Sequence, residues 1–437
     1  MSETQPELRA AEGTEAAGLA AIASVIASTA LTAVGNGLMF AFIPVALGSA
    51  GYAPTWAGTI LTVMSAGGLI GCLTTGLVVR RVGHARAFMI FAGMIILSNA
   101  WIAAGIHPVS WVAARALYGF AINGMFIVAQ SWLNDAVSNA IRGRVMAIFY
   151  VAYVFGVGVG SFVMGFLDIS GPSAPILGIA FASIAMLPVG MTRLRQPPPP
   201  SAASLAIGRA WRISPVGLSG MLAAGGLSMM IAGFTPIHAT AAGYSQREIA
   251  TLLFAMPLGT LFVQIPAGWI SDRTDRRYVL VAAALVVALL GVAAGVFDGA
   301  ALALVILIYM AWDGASESIY ALSSAHANDR ASKEEMVALQ STLLFAWSLS
   351  GFVVPAIGTV LTGIYGTIAF IHVAVVIASA FAGFVLWRIM RAVPVPAAET
   401  VSFAPMAAQA PLPVDLATPE DAPPACTRPG TESLPSS

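Results

Sequence analysis

Twelve apolar stretches, each long enough to cross a hydrocarbon layer, leave this chain few ways to fold. They lie at about 19–47, 55–79, 87–106, 109–134, 145–167, 173–192, 214–241, 247–270, 278–297, 299–327, 336–363 and 366–390. Crossing a bilayer takes about 20 helical residues. In lipid every backbone N–H and C=O must be satisfied within the structure, so such stretches read as helices. Composition agrees: of 437 residues, 58% are hydrophobic and 9% charged, with mean hydropathy +0.86, beyond the range of soluble domains. The fused run 278–327 divides at 297–300, where Asp298 and Gly299 suit a turn. The predicted fold class is an all-α membrane protein of twelve spans, numbered here in chain order.

Orientation follows from Lys and Arg, which are retained on the cytoplasmic side. With the N-terminus inside, eighteen of the twenty fall in cytoplasmic segments, and only Arg115 and Arg247 do not. That asymmetry predicts an even number of spans and two cytoplasmic termini. The first eighteen residues, with Glu3, Glu7, Glu12 and Glu15 against Arg9, lack the basic start of a signal peptide. They are expected to form a disordered tail, as is the Pro- and Ala-rich segment 392–437. Net charge is zero, which gives no sign of a nucleic-acid partner. The five histidines are scattered, Cys72 lies in an apolar run and Cys426 in the tail, so neither a metal site, a cofactor nor a disulfide is expected.

A shift of 192 residues superimposes the chain on itself. It pairs Phe42 with Phe234, Pro44 with Pro236, Gly51 with Gly243, Tyr52 with Tyr244, Met64 with Met256, Gly67 with Gly259, Gly76 with Gly268 and Arg81 with Arg273. With Ala50/Ala242, Thr59/Thr251, Leu61/Leu253 and Leu69/Leu261 this makes twelve identities over the forty positions 42–81. Glycines, a proline and an arginine among them argue against shared apolar bias. The unit is six spans, an even number, so both copies share one orientation. Parallel halves of this kind are a known transporter plan with the solute bound between them near mid-membrane. The predicted division is a bundle at 19–192, a Pro-rich then basic cytoplasmic linker at 193–213, and a second bundle at 214–391.

Over roughly residues 19–390 this layout resembles the major facilitator superfamily, a 6+6 fold of secondary transporters. The family's signature between spans 2 and 3 reads approximately G-x-L-x-D-R-x-G-R-R/K, with a degenerate copy between spans 8 and 9. Here Gly268, Asp272, Arg273, Arg276 and Arg277 form the better match, with Asp275 at the second glycine position. The first copy keeps Gly76, Arg81, Gly83 and Arg86 but has Arg80 where the family has aspartate. The resemblance implies cytoplasmic latches, whose arginines, including Arg142 and Arg144, meet carboxylates at neighbouring helix ends, Asp135 after span 4 and Asp329 after span 10. Simple positive-inside anchoring explains the same charges. Arg115, Tyr118 and Gly119 in span 4 are similar to the family's R-x-x-Q-G element, with Tyr in place of Gln, an element linked to proton transfer in related antiporters. Gly156 and Gly160 fit close helix packing.

An ionisable side chain inside a span is costly unless it faces a partner or a watery cavity, which makes it a functional candidate. Arg115, Asp313 and Glu317 meet this test and are the proton-coupling candidates. On span 10, Tyr309, Asp313, Glu317, Tyr320 and Ser324 share one helical face. A structural ion pair or hydrogen-bonded cluster on that face is the competing reading. Span 4 places Arg115, Asn123, Gln130 and Asn134 within one arc, and span 1 repeats Ser24, Ser28, Thr32 and Asn36, with Gly35 and Gly37 leaving the backbone open around Asn36. Spans 7 and 11 add Ser228, His238, Gln340, Trp347 and Ser348. Because the resemblance implies a cavity lined by spans 1, 4, 7 and 10, the expected solute contacts are Asn36, Thr32, Tyr118, Asn123, Gln130, Tyr309 and Tyr320, joined by Trp347.

These features predict a proton-coupled secondary transporter of a small polar or amphipathic solute, monomeric, in a bacterial cytoplasmic membrane, with lipid, solute and protons as its partners. No G-x-x-x-x-G-K-[ST] run suggests ATP coupling, and neither H-E-x-x-H nor G-x-S-x-G suggests an enzyme. A non-transporting membrane sensor or assembly factor built on the same fold is the alternative.

Overall fold

The computed structural model describes residues 4–137, 139–191, 205–332, 335–391 and 403, with backbone alone at 4–21, 135, 139, 140 and 337. Among the described residues twelve helices are long and apolar enough to cross a membrane. The first half comprises spans 1 (Thr4–Ser49), 2 (Pro54–Val82), 3 (His84–Ala103), 4 (Pro108–Ala136), 5 (Asn139–Met164) and 6 (Ser173–Met191). The second comprises spans 7 (Pro215–Ala241), 8 (Gln246–Ser271), 9 (Arg276–Val296), 10 (Leu302–Asn328), 11 (Met336–Tyr365) and 12 (Ala369–Ile389). The membrane face bearing the 2–3 and 8–9 turns is called the linker face below, and the opposite one the far face.

Local chemistry sets these boundaries. Proline opens spans 2, 4 and 7, where its missing N–H costs nothing. Span 8 starts in a capping box: Ser245 Oγ accepts from the Glu248 N–H, and the Glu248 carboxylate accepts from the Ser245 N–H at 2.8 Å. The sequence repeat is also a repeat of turn geometry. Gly51 and Gly243 both take positive φ, 79° and 83°, and the following N–H groups of Tyr52 and Tyr244 each donate back to a carbonyl at 3.0 Å, of Leu47 and Ala239. Glycine closes a helix this way without the steric cost that a Cβ would bring.

Packing repeats as well. Span 2 lies on span 4 and span 8 on span 10, while span 1 lies on span 5 and span 7 on span 11. A Cβ on Gly67 would fall on the Ala116 carbonyl oxygen, and one on its counterpart Gly259 on that of Met310. These glycines bring backbones together where lipid supplies no hydrophobic drive and close packing must hold the helices. Gly37 has the same task against Val157, so the backbone beside Asn36 is filled by span 5 and not open as expected. The halves meet through spans 2 and 11 and through spans 5 and 8.

Three features depart from expectation. Span 1 begins at Thr4, so a helix occupies most of the segment predicted as a tail; its alanines and glutamates favour continuation of the turn below the membrane. The linker contains a short helix, Ile207–Ile213, tied to span 11 by the Arg209–Glu335 ion pair at 2.9 Å. Span 7 is interrupted by a π-helical turn at Met229–Gly233, which no propensity signalled. The predicted C-terminal tail lies outside the described residues apart from Phe403.

Candidate functional site

A cavity of about 230 Å³ lies between the halves, midway along the spans. Span 1 brings Asn36 and Phe40 to it, span 4 Asn123, and span 10 Asp313 and Glu317. Span 7 contributes Ser228 and Met229 at the start of its π turn, and span 11 Trp347 and Ser348. Toward the far face the halves touch each other. Gly48 abuts the Thr240 methyl, Gly58 abuts Thr359, and Gln246 Nε2 of span 8 donates to the Leu167 carbonyl beyond span 5 at 2.8 Å.

The expected solute contacts divide in two. Asn36, Asn123 and Trp347 line the cavity, as do Asp313 and Glu317. Tyr118 stands behind Asn36, donating from its hydroxyl to Asn36 Oδ1 at 3.1 Å, and Tyr153 of span 5 also hydrogen-bonds Asn36. Tyr320 packs edge-on against Trp347, centroids 6.2 Å apart, and so fixes that indole without lining the cavity. Tyr309 is turned into Trp312. Thr32 returns its hydroxyl to the Ser28 carbonyl at 2.9 Å, and Gln130 is buried nearer the linker face, outside the lining. Tyr150, Tyr153 and Ser161 of span 5, Met64 and Ser65 of span 2, and Met256 and Thr260 of span 8 also line the cavity, although they are not among the residues expected there. None of these carries charge or a clear polar period.

Arg115 faces elsewhere. It is 2% exposed and borders a separate small cavity toward the far face with Phe40, Leu61, Met64 and Ile237. Its guanidinium lies 4.0 Å over the Tyr118 ring, and Nη2 donates to Met64 Sδ at 2.7 Å. A cation on an aromatic face gains about 0.5–2 kcal/mol. Met64 borders both cavities and stands between this guanidinium and the central space.

At the linker face the second basic turn forms a buried ion pair. Arg276 Nε donates to Asp329 Oδ2 at 2.7 Å, with side-chain exposures of 1% and 2%, and Nη1 donates to Ser271 Oγ at 2.8 Å. Asp272 is 3.3 Å from the same guanidinium and accepts the Phe403 N–H at 2.9 Å; the Phe403 ring covers Gly268. Arg273, by contrast, lies exposed on the Trp269 ring. The first turn differs: Arg81 and Arg144 are exposed, Gly83 takes positive φ, and Arg142 donates to the Val137 carbonyl. His84, 192 residues before Arg276, sits 3.2 Å from Ser131 Oγ. The Asp135 side chain lies outside the described residues.

At the far face His238 joins three elements. Its Nδ1 is 2.9 Å from Thr367 Oγ1 and its Nε2 3.2 Å from Asp298 Oδ1, which ties the end of span 7 to the 9–10 and 11–12 turns. His238→Phe keeps the volume and removes both bonds. The expected loss of stability is about 1–3 kcal/mol, measured as a fall in the thermal unfolding midpoint of the purified protein in detergent.

The same architecture occurs in known proteins. The uncharacterized MFS-type transporter of Yersinia pestis (strain Pestoides F) is 25% identical over 328 residues, covering 74% of this chain and 84% of the relative. YcaD, an uncharacterized MFS-type transporter of Salmonella enteritidis PT4, is 25% identical over 337 residues with the same coverage. The crystal structure of a mutant of the nucleoside transporter NupG matches with a TM-score of 0.67 at 12% identity, covering 85% of this chain and 99% of that one, which is a likeness of fold. The Major Facilitator Superfamily description matches twice, at residues 25–215 and 216–422. Those two matches fall on the two halves that the repeat, the turns and the packing had already separated, and the chain belongs to the major facilitator superfamily.

Proposed function

We propose that this protein is a proton-coupled secondary transporter that moves a small polar or amphipathic solute by alternating access, as a monomer in a bacterial cytoplasmic membrane with both termini inside. The observation that carries this is the central cavity. It lies between two repeat-related bundles that touch toward the far face, and presents two carboxyl groups from the middle of one span. Parallel halves that rock about such a site expose it to each side in turn. A carboxyl group there exchanges a proton with whichever side is open, which links solute movement to the proton gradient. NupG is named a nucleoside transporter, so nucleosides join sugars, amino acids, carboxylates and organic amines in the panel to be tested.

The test is proton flux in proteoliposomes holding a pH-sensitive dye, triggered by each solute class in turn. The arrested form supplies the control. Gly48→Cys with Thr240→Cys, in a Cys72→Ser/Cys426→Ser background, places two thiols where the halves already touch at the far face. Oxidation is expected to stop flux, and reduction to restore it. Full flux through fully cross-linked protein would rule out rocking about the central cavity.

A further inference from the structure

The strongly ionisable side chains that line the central cavity are all acids. Asp313 and Glu317 line it, and no Lys, Arg or His does so among the described residues. Arg115, the buried cation of the first half, is held on Tyr118 behind Met64 and borders the other cavity. An anionic solute entering here would find no cation to pair with and would meet like charge whenever a carboxyl ionises, which costs most where water is least available. Asp313 is 5% exposed, and no described donor reaches its Oδ1. A buried acceptor left so is itself costly and is relieved by a ligand that brings a donor or a positive charge.

The remaining walls suit the body of such a ligand. Phe40, Tyr150, Tyr153 and Trp347 present aromatic surface, which attracts cations through the ring quadrupole. The thioethers of Met64, Met229 and Met256 add an adaptable apolar lining. The Trp347 indole N–H meets no described acceptor. Acidity is confined to span 10, and the residues 192 positions earlier, Ala121 and Met125, are apolar. A bound solute is therefore oriented, with its charged end toward the second half and its body along span 5.

We infer that the solute is an organic monocation with a flat apolar body, a protonated or quaternary amine, held by Asp313 and Glu317 in exchange for a proton. The inference rests on the transporter reading above and names its substrate class. The exchange balances: a carboxylic acid releases its proton to water on the open side, the carboxylate takes the cation, and the charge of the site is unchanged. The titratable groups sharing the cavity with Asp313 are Glu317 on its own helix and Tyr150 and Tyr153 from span 5. Cys72 of span 2 lies against Ser348 of span 11, and spans 7 and 8 bring only uncharged groups to the lining. Two carboxyls thus dominate the pH response, and binding strengthens as pH rises.

Equilibrium dialysis of the full-length protein in detergent tests this with 1-methylquinolinium, a permanent aromatic cation. Its affinity is expected to rise about tenfold per pH unit between about pH 6 and pH 8, the slope that corresponds to roughly one proton released per cation bound. Neither uridine nor benzoate should displace it. Asp313→Asn should weaken binding at least about tenfold and flatten the pH dependence, while Trp347→Leu weakens binding and leaves the pH dependence in place. Asp313→Glu, which keeps the charge, should retain binding and serves if the amide variant fails to fold. Displacement by uridine or benzoate, or binding of either in place of the cation, overturns the inference. The two readings fail separately: uridine-driven proton flux without cation binding removes the substrate class and leaves the transporter, whereas pH-linked cation binding without flux keeps the class and removes the transporter.

Discussion

Replacing Asp313 with asparagine is expected to reduce solute-driven proton flux to the level of empty liposomes while the protein stays as stable as before or gains stability. The two outcomes have one cause. A carboxylate in the middle of a span costs several kcal/mol of lost hydration unless a partner offsets it, and no described donor reaches Asp313 Oδ1. An amide of nearly the same shape removes that cost, so the thermal midpoint should hold or rise by a few degrees. It also removes the group that takes up and releases the proton, so coupling is lost. A functional group kept at the expense of stability behaves this way. A structural ion-pair member behaves oppositely: its removal strands a charge and lowers stability by about 3–5 kcal/mol. Measuring flux and the unfolding midpoint on the same preparation separates the cases, and a large drop in midpoint with flux retained would assign Asp313 to the framework. Glu317→Gln is expected to keep part of the flux, because Glu317 is less deeply buried.

The difference between what could and could not be read from the chain has a physical basis. Spans announce themselves because lipid tolerates few charges, and the duplication is visible because glycines such as Gly51 and Gly243 are needed at one turn geometry in both halves. Asp313 and Glu317 stood out as charges within apolar surroundings. Tyr150, Tyr153 and Ser161 did not, since a tyrosine or serine in span 5 serves helix packing as readily as a cavity wall, and only the meeting of spans 1 and 5 decides which. The resemblance directed attention to spans 1, 4, 7 and 10, yet spans 2, 5, 8 and 11 form much of the wall here. Tyr309 and Tyr320 share the helical face of Asp313, but Trp312 and Trp347 occupy their rings. Arg115 was legible as costly and therefore constrained. Its direction was not, because the partners that fix it, Met64 and Tyr118, are a thioether and a ring.

Arg276 provides the second large effect, and it separates two arginines that the motif treats alike. Arg273 is exposed, with its guanidinium on Trp269, and Arg273→Ala should shift stability by no more than about 0.5–1 kcal/mol. Arg276 is buried against Asp329, Ser271 and Asp272 at the junction of spans 8, 9 and 10. Arg276→Met leaves Asp329 in place, 2% exposed without the guanidinium, and is expected to destabilise by about 3–5 kcal/mol. Removing both charges differs from removing one, because hydrophobic residues of similar volume can replace a buried ion pair at little net cost. Arg276→Met with Asp329→Leu should therefore recover much of the stability lost in either single variant. The double-mutant cycle, read from unfolding midpoints in detergent, gives the coupling directly. Strictly additive losses would mean that the two charges are supported independently and that the turn anchors the helices without latching them. Strong coupling would instead identify the pair as a lock on the linker-face ends of spans 9 and 10. The first half has His84 beside Ser131 at the corresponding place, so breaking the lock should loosen the second bundle alone, with hydrogen exchange rising around the 8–9 turn and unchanged around the 2–3 turn.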